Sequence, residues 1–500
     1  MEPPTLDPAL AEDAYAFRVI NDLFAGLVDW DQSNKPIPGM AESWTISPDK
    51  KTYTFYLQKN LKFSDGTPIT ANDFVYTWQR VIDPATASPY NFLLKDIVNA
   101  NTIANGKMPP NKLGVKAIDN LTFVVNLEYP NNAFLSYLTV PTLFVVPKHV
   151  IEKYDKKWTL PKNMVTSGAY TLKEHVLNGY ILTEKNPYFY EAAIVRIENV
   201  EYFPYADVNV SLANYKTNSL DTTWKSVPVD QYSTLKAQYP KEMHVNQSER
   251  VEFLAYNMKL PKYANNIKLR KALSMAIDRN ILVNQVLKSG QIPLYSVVTP
   301  TIEQGKYKEV KYHWSKLTND QVIQNARELY KEAGYSNSHP LNVTLSYKTN
   351  DLYKKVAIAV SSMWSNVLGV KVTLKNQEWK SLIQSLHNAD YDISFATWGA
   401  DYNAIATYIP LYLCGSPNNY SHYCNNNYNE LIQSANKTTN ESEQDNMYKQ
   451  SLWIVMNDYP VIPLFEPSQL RLVKSRVQNY RIEDNYLDNV QTKWMSLNTK

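Results

Sequence analysis

Five hundred residues exceed what one hydrophobic core normally organises, so two or three domains are expected. Formal net charge is +3, with 51 basic residues against 48 acidic ones spread along the chain, which leaves no basic footprint for nucleic acid. No stretch approaches the ~18 uninterrupted apolar residues of a membrane span.

The 37 tyrosines and 11 tryptophans, with 28 prolines against 13 glycines, describe a rigid, aromatic-rich chain whose side chains can line a pocket at low entropic cost. Met1-Glu2-Pro3-Pro4 shows no signal-peptide pattern, an opening that fits a processed or a trimmed chain and says little about the compartment.

Apolar residues at 16, 19, 20, 23 and 24 predict a helix through Tyr15–Phe24, ended by Gly26. Thr52–Leu57 alternates as a strand, and Thr70 with Asp73 caps a helix over Ala71–Val81. Leu113–Asp119 and Leu121–Leu127 read as paired strands, and Val165–Leu172 as a glycine-broken strand. Further strands are expected at Ile181–Glu184 and Val195–Phe203, with helices at Asp207–Asn218 and Asp230–Ala237.

Glu252–Met258 reads as a crossing strand and Leu269–Arg279 as a helix with one apolar face. A helix is expected over Val322–Lys331. Strand Leu341–Tyr347, helix Leu352–Leu368, strand Val370–Asn376 and helix Trp379–His387 then alternate, which implies a sheet with parallel strands. The final part, Val461–Phe465 and the strands after Leu470, is expected to return to the first lobe.

The run Tyr391–Ala396 should end as a strand at Thr397-Trp398-Gly399-Ala400-Asp401-Tyr402-Asn403, delivering one carboxylate among aromatics to a turn. A carboxylate there either caps the next turn or meets a cationic ligand group such as an ammonium. Cys414 and Cys424 flank a short polar segment, where a disulfide would add roughly 3 kcal/mol and imply an oxidising compartment. His422 alone does not complete a zinc set with them.

The chain contains no phosphate loop, dinucleotide fingerprint, His-Glu-x-x-His or nucleophile elbow, and its seven histidines do not cluster at ligand spacing. Neither catalysis nor a cofactor is expected.

Three segments carry a resemblance: Pro38-Gly39-Met40-Ala41-Glu42-Ser43-Trp44, Phe63-Ser64-Asp65-Gly66-Thr67-Pro68 with Thr70–Tyr76, and Asp83-Pro84-Ala85-Thr86-Ala87-Ser88-Pro89-Tyr90. Their order resembles the cluster 5 solute-binding proteins of ABC importers, which bind oligopeptides and dipeptides. Gln58 stands where that family often has Arg. The resemblance covers nearly the whole chain and implies an α/β, periplasmic-binding-protein type II fold, in which two lobes joined by hinge strands close over a ligand beside an additional family-specific domain. It implies a first lobe from residues 1–25, 150–252 and 469–500, an extra domain over 26–149, and a second lobe over 253–468.

It further implies a monomeric periplasmic subunit that captures short peptides through their backbones and passes them to a membrane permease, with a lipid anchor at the natural N-terminus left open. The alternatives are a specialised ligand such as murein tripeptide, or a peptidase or chaperone-like protein. By position, Asp401 holds the ligand's α-ammonium. Thr397, Trp398 and Gly399 lie on the strand that pairs with the peptide, and Glu12, Asp13 and Ala14 form the opposing strand. Tyr90 and Trp379 are pocket walls.

Where the family places basic side chains to meet ligand carboxylates, this chain has Tyr353, Leu386 and Phe395. Tyrosines expected around 248–253 are replaced by Ser248, Arg250, Glu252 and Phe253, and Glu466 lies near another aromatic position. Arg250 is the candidate replacement cation.

Overall fold

The computed structural model describes residues 2–31, 33–224, 227–480 and 490–498. The chain forms two compact units, one from Met1–His244 with Arg471–Lys500 and the other from Val245–Leu470.

The first unit opens with α1 (Ala14–Leu23), which buries Ala16, Val19, Ile20 and Leu23 as their spacing predicts. Asp13 sits at its N-cap and accepts the Tyr15 and Ala16 N–H groups at 2.8 and 3.0 Å. β1 (Ala41–Ile46) and β2 (Thr52–Leu57) lead to α2 (Ala71–Ile82), where Asp73 accepts the Thr70 N–H at 2.8 Å. β3 (Val115–Ala117) and β4 (Thr122–Asn126) complete a four-stranded antiparallel sheet in the order β1-β2-β4-β3. On it Trp78 of α2 meets Phe123 edge to face at 5.0 Å.

A three-stranded antiparallel sheet follows, β5 (Tyr170–Val176), β6 (Tyr180–Lys185) and β7 (Asn199–Tyr202). The strand expected from Val165 begins only at Tyr170. Residues Ser167 and Gly168 instead donate their N–H groups to the Leu23 carbonyl at the end of α1, at 3.2 and 2.8 Å. A Cβ on Gly168 would come within 2.6 Å of that backbone, so the glycine serves a close chain crossing.

The chain leaves the first unit within β8 (Met243–Gln247) and enters β9 (Arg250–Tyr256). β9 runs unbroken through the boundary expected at 252/253, so Arg250 and Glu252 belong with the second unit. α3 (Ile267–Met275) is shorter than its apolar pattern, because Asp278 caps a new turn by accepting the Ile281 N–H at 3.0 Å.

After β10 (Ile292–Pro293) and α4 (Asn319–Glu332), the expected alternation appears as β11 (Asn342–Lys348), α5 (Asp351–Leu368), β12 (Lys371–Gln377), α6 (Trp379–His387) and β13 (Ile393–Gly399). β14 (Val461–Glu466) and β15 (Ser468–Leu472) follow.

Its sheet has six strands in the order β10-β14-β9-β13-β11-β12. β11 is parallel to both β12 and β13, while β9 is antiparallel to β13 and β14. Val461–Phe465 therefore does not return to the first lobe: all of β14 is buried and paired with β9 in the second. Pro463, which cannot donate to a ladder, sits opposite Phe253 where the register shifts. β15 pairs with β8 in a separate two-stranded sheet. Among the described residues no helix is long and apolar enough to cross a membrane.

Candidate functional site

β11, β12 and β13 all point their C-terminal ends the same way, and in α/β sheets ligands bind outside such ends. The segment following β13 carries Asp401. Its backbone is fixed: the Ala400 N–H donates to the Glu249 carbonyl at 2.8 Å, and the Asp401 N–H to Thr407 Oγ1 at 3.3 Å. Glu303 clamps it from the other side, donating its N–H to Asn403 Oδ1 at 2.9 Å and accepting the Ile405 N–H on Oε1 at 2.6 Å.

Glu249 itself adopts φ 43°, a left-handed conformation uncommon for a side-chain residue. It persists because both faces of its peptide are used. Its N–H donates to Glu466 Oε1 at 3.0 Å, and its carbonyl also accepts the Tyr408 hydroxyl at 2.9 Å.

Four buried or half-buried carboxylates thus surround the end of the sheet, Glu249, Glu252, Glu303 and Glu466. Burial pushes the Glu249 carboxyl up to about 7, against the hydroxyls of Thr299 and Thr301. The Glu466 carboxyl is raised well above its usual range by burial and by the neighbouring Glu249. Burial also raises Glu252 to about 7, opposed by the Arg250 guanidinium, the Thr397 and Tyr353 hydroxyls and Lys348. Glu303 is raised by burial in turn.

Along the β9–β13 ladder Arg250 pairs with Gly399, Val251 with Trp398 and Glu252 with Thr397. Thr397 Oγ1 donates to Glu252 Oε1 at 2.9 Å and accepts Arg250 Nη1 at 3.4 Å. The guanidinium lies over Gly399, where a Cβ would stand 3.1 Å from Arg250 Nη2. Trp398 holds a buried indole N–H with no hydrogen-bond partner among the described residues. Tyr353 packs edge to face on Phe395 at 5.7 Å, and Trp379, 36% exposed, stands at the start of α6 beside Lys348.

Three residues read as facing a ligand are core instead. Phe253, Leu386 and Phe395 are 2%, 0% and 1% exposed within the second unit's hydrophobic cluster, because β9, α6 and β13 turn these apolar side chains inward. In the first unit, Glu12, Asp13 and Ala14 are not a strand. Asp13 is the α1 cap and Ala14 its first residue, since capping the orphan N–H groups competes with strand pairing. Tyr90 precedes a short 3-10 turn, with its ring 5.5 Å from Phe17 and 5.3 Å from Phe92.

Cys414 and Cys424 form the expected disulfide. Among the described residues no cluster of His, Cys, Asp and Glu could hold a metal ion. The sequence reading did not find Glu249, Glu303 or Lys348. Glu249 and Glu303 gain their roles from partners 50 or more residues away, which no local pattern encodes.

The model of the bacterial extracellular solute-binding proteins, family 5, matches residues 35–420. The chain belongs to that family. Its family 5 relatives include the periplasmic oligopeptide-binding protein OppA of Salmonella typhimurium, 38% identical over 98% of this chain and 90% of that protein. Among solved family 5 structures, the Haemophilus influenzae OppA complex with the peptide RPPGFSPFR is 34% identical with a TM-score of 0.82, covering 99% of this chain and 97% of that one. The Escherichia coli murein tripeptide binding protein MppA is 32% identical with a TM-score of 0.84, covering 99% and 96%. The fold is that of the type II periplasmic binding proteins.

Proposed function

We propose that this family 5 protein is the substrate-binding subunit of an ABC importer, a monomer that takes up short peptides in the periplasm and hands them to membrane permease subunits. One observation carries the reading. Asp401 stands on a turn held by Glu249, Thr407 and Glu303 at the C-terminal end of β13, where a carboxylate on a fixed backbone suits a ligand's α-ammonium.

In this reading Thr397, Trp398 and Gly399 offer backbone groups to an extended ligand, and the free Trp398 indole N–H a further donor. Backbone recognition accepts many sequences because all peptides share the same donors and acceptors, and water fills what a side chain leaves. Trp379 and Tyr353 are walls, and Arg250 is a cation for acidic ligand groups. Glu12, Asp13, Ala14 and Tyr90 are ligand contacts on the first unit. That unit consists of a lobe and the extra domain over 26–149. A second reading, murein tripeptide as the ligand, is prompted by the likeness to MppA, which is named for that ligand.

Native mass spectrometry of the purified protein tests both readings. A copurifying mixture of short peptides is expected, and murein tripeptide alone selects the second. A chain that binds neither free peptides nor murein tripeptide overturns the assignment.

A further inference from the structure

β11 ends at Lys348, which pairs with Gln377, the last residue of β12. Its ammonium rests on two aromatic faces, 4.8 Å from the Trp379 ring centroid and 5.8 Å from that of Tyr353. No carboxylate of the described residues lies within ion-pair distance of it. Rings attract a cation by their quadrupole without consuming its hydrogen-bond donors, so all three N–H groups remain to be used.

The other cation nearby is differently placed. Arg250 donates to Thr397 and lies flat over Gly399, and its charge opposes that of Glu252 at close range. Lys348 also acts on Glu252, so two cations bear on that one buried carboxyl.

Ser346 is level with Ser394 on β13, so Lys348 lies about level with Ala396 and below Asp401 on the same sheet end. From Ala396 to Gly399 the strand rises roughly 10 Å, the span of about three extended residues. A short peptide anchored by its amine at Asp401 would bring its far end toward Lys348.

We propose that Lys348 is the specificity-determining residue for the ligand's carboxylate, held on the Trp379–Tyr353 shelf so that it selects short peptides with a free C-terminus. This rests on the peptide-binding reading above. The ammonium donates hydrogen bonds to the carboxylate and no covalent step is involved.

The test measures calorimetric binding of trialanine and tetraalanine, each as free acid and as C-terminal amide, to the parent, Lys348→Met and Lys348→Arg. The parent is expected to favour the free acids by roughly ten-fold. Lys348→Met should lose that preference while still requiring a free amine, and Lys348→Arg should keep most of it. Circular dichroism melts establish that the variants are folded. A free-acid preference that survives in Lys348→Met, or is absent from the parent, overturns the role of Lys348 and leaves the peptide reading standing. Failure of all four ligands, together with peptides extracted from the native protein, to bind the parent overturns both.

Discussion

The Tyr353 hydroxyl lies 3.2 Å from each carboxylate oxygen of Glu252. One proton is thus shared over a carboxylate that is 4% exposed and receives a second hydrogen bond from Thr397. Two hydroxyls and two cations stabilise the ionised form, yet burial outweighs them and the carboxyl stands at about 7.

This predicts a pH dependence of stability. Between the ordinary carboxylate range and about pH 7 the unfolded chain has released the Glu252 proton while the folded chain retains it. The unfolded state then binds fewer protons, so stability falls as pH rises through that window and levels off above it. Glu249 acts with the same sign. Glu252→Gln, a neutral isostere, should lessen the fall by about 1–2 kcal/mol between pH 5 and pH 8. Urea unfolding of parent and variant at both pH values measures it, and an identical slope in the two proteins would falsify the assignment.

Asp401→Asn should weaken binding of free-amine peptides by about 2–4 kcal/mol, since it removes one partner of a charge pair. N-acetylated peptides should bind the parent as poorly as free peptides bind the variant. Calorimetry with matched free and acetylated ligands decides it. Equal affinities for the two in the parent remove the amine role of Asp401.

Replacing Cys414 and Cys424 by Ser should lower stability by roughly 2–3 kcal/mol, the loop-entropy value for a short cross-link. Intact mass before and after reduction and alkylation reports the bond itself. Two alkylatable thiols in the unreduced protein would contradict it.

Gly168→Ala should cost about 1–3 kcal/mol or more, because the added Cβ meets the Leu23 and Phe24 backbone at 2.6 Å and backbone cannot swing aside. The thermal midpoint of the variant measures the loss, and an unchanged midpoint shows that the α1 crossing can open.

Periodicity made the regular elements legible. The 341–387 alternation emerges as two parallel β-α units, and Thr70 with Asp73 marks the start of α2 as written. The place of Asp401 just past the end of β13 was legible because a strand pattern runs directly into it. Phe253, Leu386 and Phe395 were not read as core, since matching them to ligand-facing positions ignored that apolar side chains at those positions have an interior to fill. Val461–Phe465 was misplaced because a continuous apolar run names a buried strand without naming its sheet. Lys348 escaped notice because its surroundings, Tyr353 and Trp379, converge on it only through the ends of α5 and α6.

Glu303 holds both ends of the segment from Asn403 to Ile405, and neither bond involves anything the protein would carry. Its own neighbourhood is anchored in turn, with Lys306 bridging it to Asp445 on the helix Glu441–Asp458. Random mutagenesis scored by uptake should therefore recover hits at Glu303, Lys306 and Asp445, a track of positions leading from Asp401 into that helix.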